Sequence, residues 1–179
     1  MKNKSEVTPL VSVVMGSDSD LPIMQEATGV LDAFGIPYEV YLTSAHRAPE
    51  RTTAFARKAA GRGVRIVIAG AGAAAHLAGF IASQTLLPVI GVPIDATSLG
   101  GLDALLATVQ MPGGIPVATM AVGKAGAKNA ALMAVRILSL EDKELCEKLR
   151  AYKSNMARKV ELKQEKLLNS LNPCPKSSP

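Results

Sequence analysis

Five short runs rich in aliphatic and β-branched residues alternate with helical patterns over residues 1–140. That alternation predicts an α/β fold: a three-layer α/β/α sandwich, flavodoxin-like, on an open parallel sheet of about five strands, plus a C-terminal helix. Two further observations agree. Three of the five runs are almost continuously apolar, as strands covered on both faces must be. The chain also has no Trp, three Phe and three Tyr against 15 Gly, a composition that suits helices packed close on a sheet.

The first strand is Leu10–Met15 (LVSVVM). In the helix after it, Pro22 suits the first turn, Ile23, Ala27, Val30, Leu31 and Phe34 share one face, and Gly35 is placed to end it. A second strand, Tyr38–Thr43, leads to a helix from Pro49 to about Gly61–Gly63. The third, Val64–Ala69, leads to a helix opening at the Ala73–Ala75 run. Val89–Val92 is the fourth, with a helix over Leu102–Gln110, and Val117–Val122 the fifth, with a helix from Ala125 to Leu140. Right-handed crossovers join such units; the strand order itself is not readable from the sequence, and 2-1-3-4-5 is expected only as a common order of such sheets.

Beyond Leu140 the composition changes, with 15 charged side chains in 39 positions against 20 in the first 140. Leu145, Leu149, Tyr152, Met156 and Val160 still recur at helical spacing, so residues 141–168 read as a charged helix with one apolar stripe. It either folds back on its own domain or docks on a neighbouring subunit. Residues 169–179, rich in Ser and Pro, are expected to be a disordered tail.

The net charge of +5 divides into +2 over residues 1–140 and +3 over residues 141–179, with no arginine-rich stripe and few stacking aromatics. A nucleic-acid partner is therefore not expected. Cys146 and Cys174 form neither a metal spacing nor a disulfide framework, which points to a reducing cytoplasm. The absence of an apolar leader and of any 18-residue apolar run points to a protein without signal peptide or membrane span.

Ligands of doubly wound sheets sit beyond the carboxyl ends of the strands, and four loops there are unusual. The first is Gly16-Ser17-Asp18-Ser19-Asp20. Glycine permits close backbone approach, while hydroxyls and helix N-terminal amides make a cradle for phosphate. Asp18 and Asp20 either cap the helix or hold ligand hydroxyls. In the second, Ser44-Ala45-His46-Arg47, an imidazole that exchanges protons near neutral pH stands beside a guanidinium fork suited to phosphate or carboxylate.

The third, Gly70-Ala71-Gly72-Ala73-Ala74-Ala75-His76, offers backbone amides to an anion. It also partly matches a dinucleotide fingerprint, with Asp95 following. His76 reads as a structural or supporting residue. The fourth, Met111–Pro116 with Gly123–Gly126, either walls a pocket or shapes a subunit contact. Hydroxyls, an aspartate pair, glycine-rich amides, one arginine and one proton-transfer histidine together describe a site for a small phosphorylated sugar compound whose reaction is mainly proton movement.

In order and spacing, GSDSD with LP, SAHR, AGAG with AHL, GVP, VQMPGGIPVATMAVG and KAGAKNAAL, from about Val11 to Leu140, resemble the PurE family of purine biosynthesis. The class I type, the N5-carboxyaminoimidazole ribonucleotide mutases, is the closer match. The resemblance implies a cytoplasmic homo-octamer of IMP biosynthesis that needs no metal or cofactor and has a small ribonucleotide as its partner. It implies His46 as the acid/base. Substrate binding would fall to Gly16, Ser17, Asp18, Asp20, Ser44, Arg47, Ala71, Gly72, His76 and Leu77, with Ser17 and Asp20 at the ribose phosphate and the Ala71–Gly72 amides over the carboxylate. This chain departs from the family in having Ala73 where glycine is usual and Ala78 where proline is usual.

Three alternatives remain. A class II carboxylase would use aminoimidazole ribonucleotide and CO2 directly. A nucleotide-dependent oxidoreductase rests on AGAGAA with Asp95. A receiver-like signalling domain rests on Asp18, Asp20 and Lys124 but has Gly70 where it needs a phosphorylatable aspartate.

Overall fold

The computed structural model describes residues 8–171. They form β1 (Val11–Met15), α1 (Leu21–Phe34), β2 (Tyr38–Leu42), α2 (Pro49–Ala59), β3 (Ile66–Gly72), α3 (Leu77–Ala82), β4 (Val89–Ile94), α4 (Leu102–Val109), β5 (Ala118–Thr119), α5 (Lys124–Leu138) and α6 (Lys143–Leu171). The strands make one parallel sheet in the order β2-β1-β3-β4-β5, the expected one. Two compact units divide the chain, the first ending at Ile137 and the second starting at Leu138.

Within the first unit, alternation along β3 separates the layers. Val67 and Ala69 join Phe55, Ala56 and Ala59 of α2 and Leu77, Ala78 and Ile81 of α3 in one buried cluster. A Cβ on Gly70 would collide with the Met24 sulfur of α1, so that glycine faces the opposite layer. β1 and β4 are buried at every position, whereas β2, an edge strand, leaves Val40 49% and Leu42 46% exposed. The small residues expected to carry the core do so on α5, whose fully buried positions include Ala127, Ala130, Ala131 and Ala134. At the end of α1, Gly35 adopts φ 70°. Its N–H reaches Asp32 O at 3.0 Å and the next amide reaches Leu31 O at 2.9 Å, which closes the helix as a left-handed cap.

The bounds of β3, α3 and β5 differ most from those the sequence predicts. β3 starts at Ile66 but runs through Gly70-Ala71-Gly72, where composition predicts a loop, because β4 extends alongside and pairs Ala71 with Pro93 and Gly72 with Ile94. α3 opens at Leu77 rather than at Ala73. Ala73 takes φ 52°, and the amides of Ala75 and His76 bond back to the carbonyls of Ala73 and Ala74, two tight turns that no helix accommodates. β5 is only two residues long, since Pro116 cannot donate to a ladder. Past Thr119 the bonding to β4 is intermittent, from Met120 N to Gly91 O and from Gly123 N to Pro93 O.

In the second unit, α6 spans 29 residues. It begins after Asp142, whose carboxylate accepts the Leu145 amide at 3.0 Å. It also continues beyond residue 168 through residues 169–171, where the Ser170 hydroxyl donates to the Leu167 carbonyl at 2.7 Å. The rest of the expected tail, residues 172–179, lies outside the described residues.

Candidate active site

The site is built where β1 and β3 part company. β1 ends at Met15, paired with Leu42 of β2 on one side and Gly70 of β3 on the other, so three chains reach one rim together. Gly16 N bonds Gly70 O at 3.2 Å and Thr43 N bonds Met15 O at 3.0 Å, which extends both pairings into the loops. Above this rim lies a pocket of about 360 Å³. The first loop contributes Gly16, Ser17, Ser19 and Asp20, and the second contributes Ser44, Ala45, His46 and Arg47. The chain after β3 contributes Ala71–Ala74 and Leu77, and the loop after β4 contributes Ala96.

The first loop is a single helical turn closed by its own side chains. Ser17 Oγ accepts the Ser19 amide at 3.3 Å and the Ser19 hydroxyl at 2.8 Å, while Asp20 Oδ2 accepts the Ser17 amide at 3.1 Å. This reciprocal capping presents two hydroxyls at the mouth of α1. Asp20 is buried. Desolvation raises its pKa above the ordinary 3.8, amide bonds from Ser17 and Gly16 oppose that rise, and the Asp18 charge adds to it. Asp18 is exposed and does not line the pocket; its carboxylate accepts the Ser19 amide at 3.1 Å and the Ser17 hydroxyl at 3.2 Å, while Ser17 and Asp20 do the capping. The two aspartates thus part: only Asp20 faces the pocket.

The second loop is anchored by a buried bond between the Thr43 and Thr52 hydroxyls at 2.8 Å, which ties the end of β2 to α2. Ala48 N reaches Ser44 O at 2.9 Å and Arg47 N reaches Ser44 Oγ at 3.3 Å, a turn that throws His46 and Arg47 outward. The Arg47 guanidinium donates to Ser44 Oγ at 3.5 Å and to Gly16 O at 3.2 Å, so the cation lies across the first loop. Serine hydroxyls, arginine and a helix mouth on one wall suit a phosphate monoester.

The third segment faces them with backbone and methyl groups. A Cβ on Gly72 would meet the Ala96 methyl and the Ile94 carbonyl, so only glycine lets the chains after β3 and β4 approach this closely. Ala73 then occupies the left-handed region at φ 52°, the one non-glycine residue to do so among the described residues. His76 does not line the pocket. Its Nδ1 stands 2.9 Å from His46 Nε2 instead, with the rings edge to face at 89°.

Ten of the eleven residues predicted for the site thus lie in the pocket or against its histidine, and Asp18 lies outside. Ser19, Ala45, Ala73, Ala74 and Ala96 line it without having been singled out. Ser19 was detectable as the second hydroxyl of GSDSD, two residues after the first. Ala96 carries no signal except its place just past the fourth strand. The segment Met111–Pro116 contributes nothing to this pocket; Gly114, Ile115 and Pro116 line a separate groove with Thr85–Val89 at the start of β4. Among the described residues, no group of three or more His, Cys, Asp or Glu is arranged to hold a metal ion, and no helix is long and apolar enough to cross a membrane.

A family model described as AIR carboxylase matches residues 10–159. The chain belongs to the AIR carboxylase family. Relatives in that family include the N5-carboxyaminoimidazole ribonucleotide mutase of Pyrococcus horikoshii, 59% identical over 92% of this chain and 91% of that protein. The protein of the same name from Thermotoga maritima is 50% identical over 89% of this chain and 92% of that one. The crystal structure of Treponema denticola PurE superposes with a TM-score of 0.81 at 32% identity, covering 89% of this chain and 98% of that one. The fold expected from strand and helix alternation is therefore the fold of AIR carboxylase family members.

Two outcomes follow from the geometry. Ala73→Gly relieves a left-handed alanine at some cost in unfolded-chain entropy, so the variant should be more stable by about 0.5–1 kcal/mol. That is a rise of roughly 2–4 °C per kcal/mol in thermal midpoint for a chain of this size; an equal or lower midpoint would contradict the strain. Asp20→Asn keeps an acceptor for the Ser17 amide but removes the buried charge. Because the Asp20 pKa is raised on folding, its protonation favours the folded state. Wild-type stability relative to Asp20→Asn should therefore be greatest at low pH and fall as pH rises from 3.8 through the raised value, as read by urea denaturation from roughly pH 4 to 7.

Proposed function

We propose that this protein is a mutase that converts N5-carboxyaminoimidazole ribonucleotide to 4-carboxy-5-aminoimidazole ribonucleotide in de novo purine biosynthesis. The observation that carries the reading is the position of His46: a proton-exchanging group beside a cationic, hydroxyl-lined wall, in the pocket of a chain whose family relatives bear that name.

In this reading the ribose phosphate lies against Ser17, Ser19 and Arg47, and the imidazole ring reaches across to the Ala71–Ala74 backbone. Protonated His46 gives its proton to the exocyclic nitrogen as the carbamate C–N bond breaks, releasing CO2 and the free amine. The ring carbon then attacks CO2 to form the new C–C bond. Its hydrogen leaves as a proton to His46, which regains its starting state. Atoms and protons balance over the cycle, and the pocket has only to hold CO2 for the interval. The methyl groups of Ala71, Ala73, Ala74 and Ala96 with Leu77 make that wall apolar, which keeps water from the intermediate and the small molecule within reach.

The same reading makes the protein a cytoplasmic homo-octamer. Support for assembly comes from exposed apolar stripes. Leu99, just before α4, and Leu102, Leu106 and Val109 along it are 47–63% exposed, and α6 exposes Met156, Val160, Leu162, Leu167, Leu168 and Leu171. We take α6 to be an assembly element rather than part of the catalytic domain.

His46→Asn should lower turnover by about 10²–10⁴-fold, the usual contribution of a general acid/base. The wild type should convert the N5-carboxylated ribonucleotide without ATP; conversion only of the uncarboxylated ribonucleotide with bicarbonate would replace the mutase reading by the direct carboxylase. Sedimentation equilibrium should give eight 18.6 kDa chains per particle, and a monomer would remove the assembly role of the stripes.

A further inference from the structure

His76 lies outside the pocket, yet its ring nitrogen is in hydrogen-bond contact with the one pocket residue assigned to proton transfer. Both imidazoles are exposed, and an exposed histidine without a partner rotates freely. These two do not. The His76 backbone is fixed on both sides: its amide reaches Ala74 O at 2.8 Å and its carbonyl takes the Phe80 amide at 2.8 Å, as the first bond of α3. The preceding residue, Ala75, is 1% exposed, and its carbonyl accepts from the Thr108 hydroxyl at 3.4 Å. The left-handed Ala73 and the two tight turns after it bend the chain so that His76 meets His46 edge to face, with ring centroids 5.0 Å apart.

A bond between two imidazole nitrogens contains one proton, so one ring donates and the other accepts. We propose that His76 is the positioning residue of His46: its Nδ1 accepts from His46 Nε2–H in every state of the cycle, which holds the ring in place and leaves His46 Nδ1 as the nitrogen that exchanges the proton. The inference rests on the acid/base reading above. A His46 that starts the cycle protonated carries N–H on both nitrogens, so Nε2 can only donate and His76 must accept. After His46 gives up the Nδ1 proton, the Nε2–H bond to His76 is unchanged. The opposite assignment, with His76 donating, would set two N–H groups against each other at 2.9 Å whenever His46 is protonated. His76 thereby holds the tautomer and orientation of the base, as a buried carboxylate does for the histidine of a hydrolytic triad.

The chain has only two histidines, so both can be observed by selective ¹⁵N-histidine labelling and solid-state NMR of the wild-type protein. Neutral His46 is expected as the Nε2–H tautomer and His76 as the partner with an unprotonated Nδ1, the signals being assigned with His76→Asn. His76→Leu, which removes the acceptor, should lower kcat by about 10–100-fold with KM within about twofold of wild type. His76→Asn, whose side-chain oxygen can occupy the acceptor position, should recover most of that loss.

Neutral His46 carrying its proton on Nδ1, or wild-type kcat in His76→Leu, would overturn the proposal. So would equal loss in the leucine and asparagine variants, because a merely structural residue would not distinguish them. If the wild type failed to convert the ribonucleotide, the function reading would fall, while the tautomer measurement would still decide the arrangement of the pair.

Discussion

The pairing of β1 with β3 is the constraint on which the rest depends. It joins β1, buried throughout, to the buried residues 66–70 of β3 at the point where the sheet is wound in opposite directions, β2 lying to one side of β1 and β4 to the far side of β3. Because the helical connections leave in opposite senses there, the loops above Met15 and Gly70 diverge and a crevice opens between them. The Gly16–Gly70 bond carries the register one step into the loops. A slip of that register would carry the hydroxyl-bearing turn and the histidine-bearing loop out of alignment together, and would also turn Met24 away from the gap it fills at Gly70.

The pocket uses few formal charges. One wall carries short hydroxyl side chains and one guanidinium, and the other is made of alanine, glycine and leucine. Such a surface leaves little side-chain ordering for a ligand to impose, because Ser17, Ser19 and Arg47 are already held by hydrogen bonds within and between their loops. The exception is Asp20, a buried carboxylate held by amides of its own loop. It costs solvation and rigidifies the turn that presents Ser17 and Ser19.

Much of this was legible in the sequence because the signals were local. Alternating apolar runs and helix punctuation by Pro22 and Gly35 are properties of a few neighbouring residues, whereas the strand order is not written in the sequence and is expected only from the common order of such folds. The candidate residues were found by their place after strands, which is why His46, Arg47, Ser17 and Asp20 converge in the structure. What was not legible depends on contacts between distant segments. Gly70–Gly72 has the composition of a loop and is a strand because β4 stands beside it. Ala73 resembles the start of a helix and is instead a left-handed turn, followed by the tight turns that bring Ala75 and His76 back to the carbonyls of Ala73 and Ala74. Ala96 has no chemical signal, and the hydrogen bond between His46 and His76 links residues 30 positions apart that nothing in the sequence associates.

Four adjacent strands, β2, β1, β3 and β4, each deliver one segment to the pocket, and their spacing is that of any parallel sheet. Three steps of about 4.8 Å place the outer segments roughly 14 Å apart at their roots. The sheet therefore acts as a ruler. A ligand with a phosphate at one end and a reacting ring at the other is long enough to register against several marks at once. A bare heterocycle, a free phosphate or a molecule of CO2 spans only one or two. In the proposed function, discrimination by length would then be set by the hydrogen-bond geometry of the backbone, before any side chain is chosen.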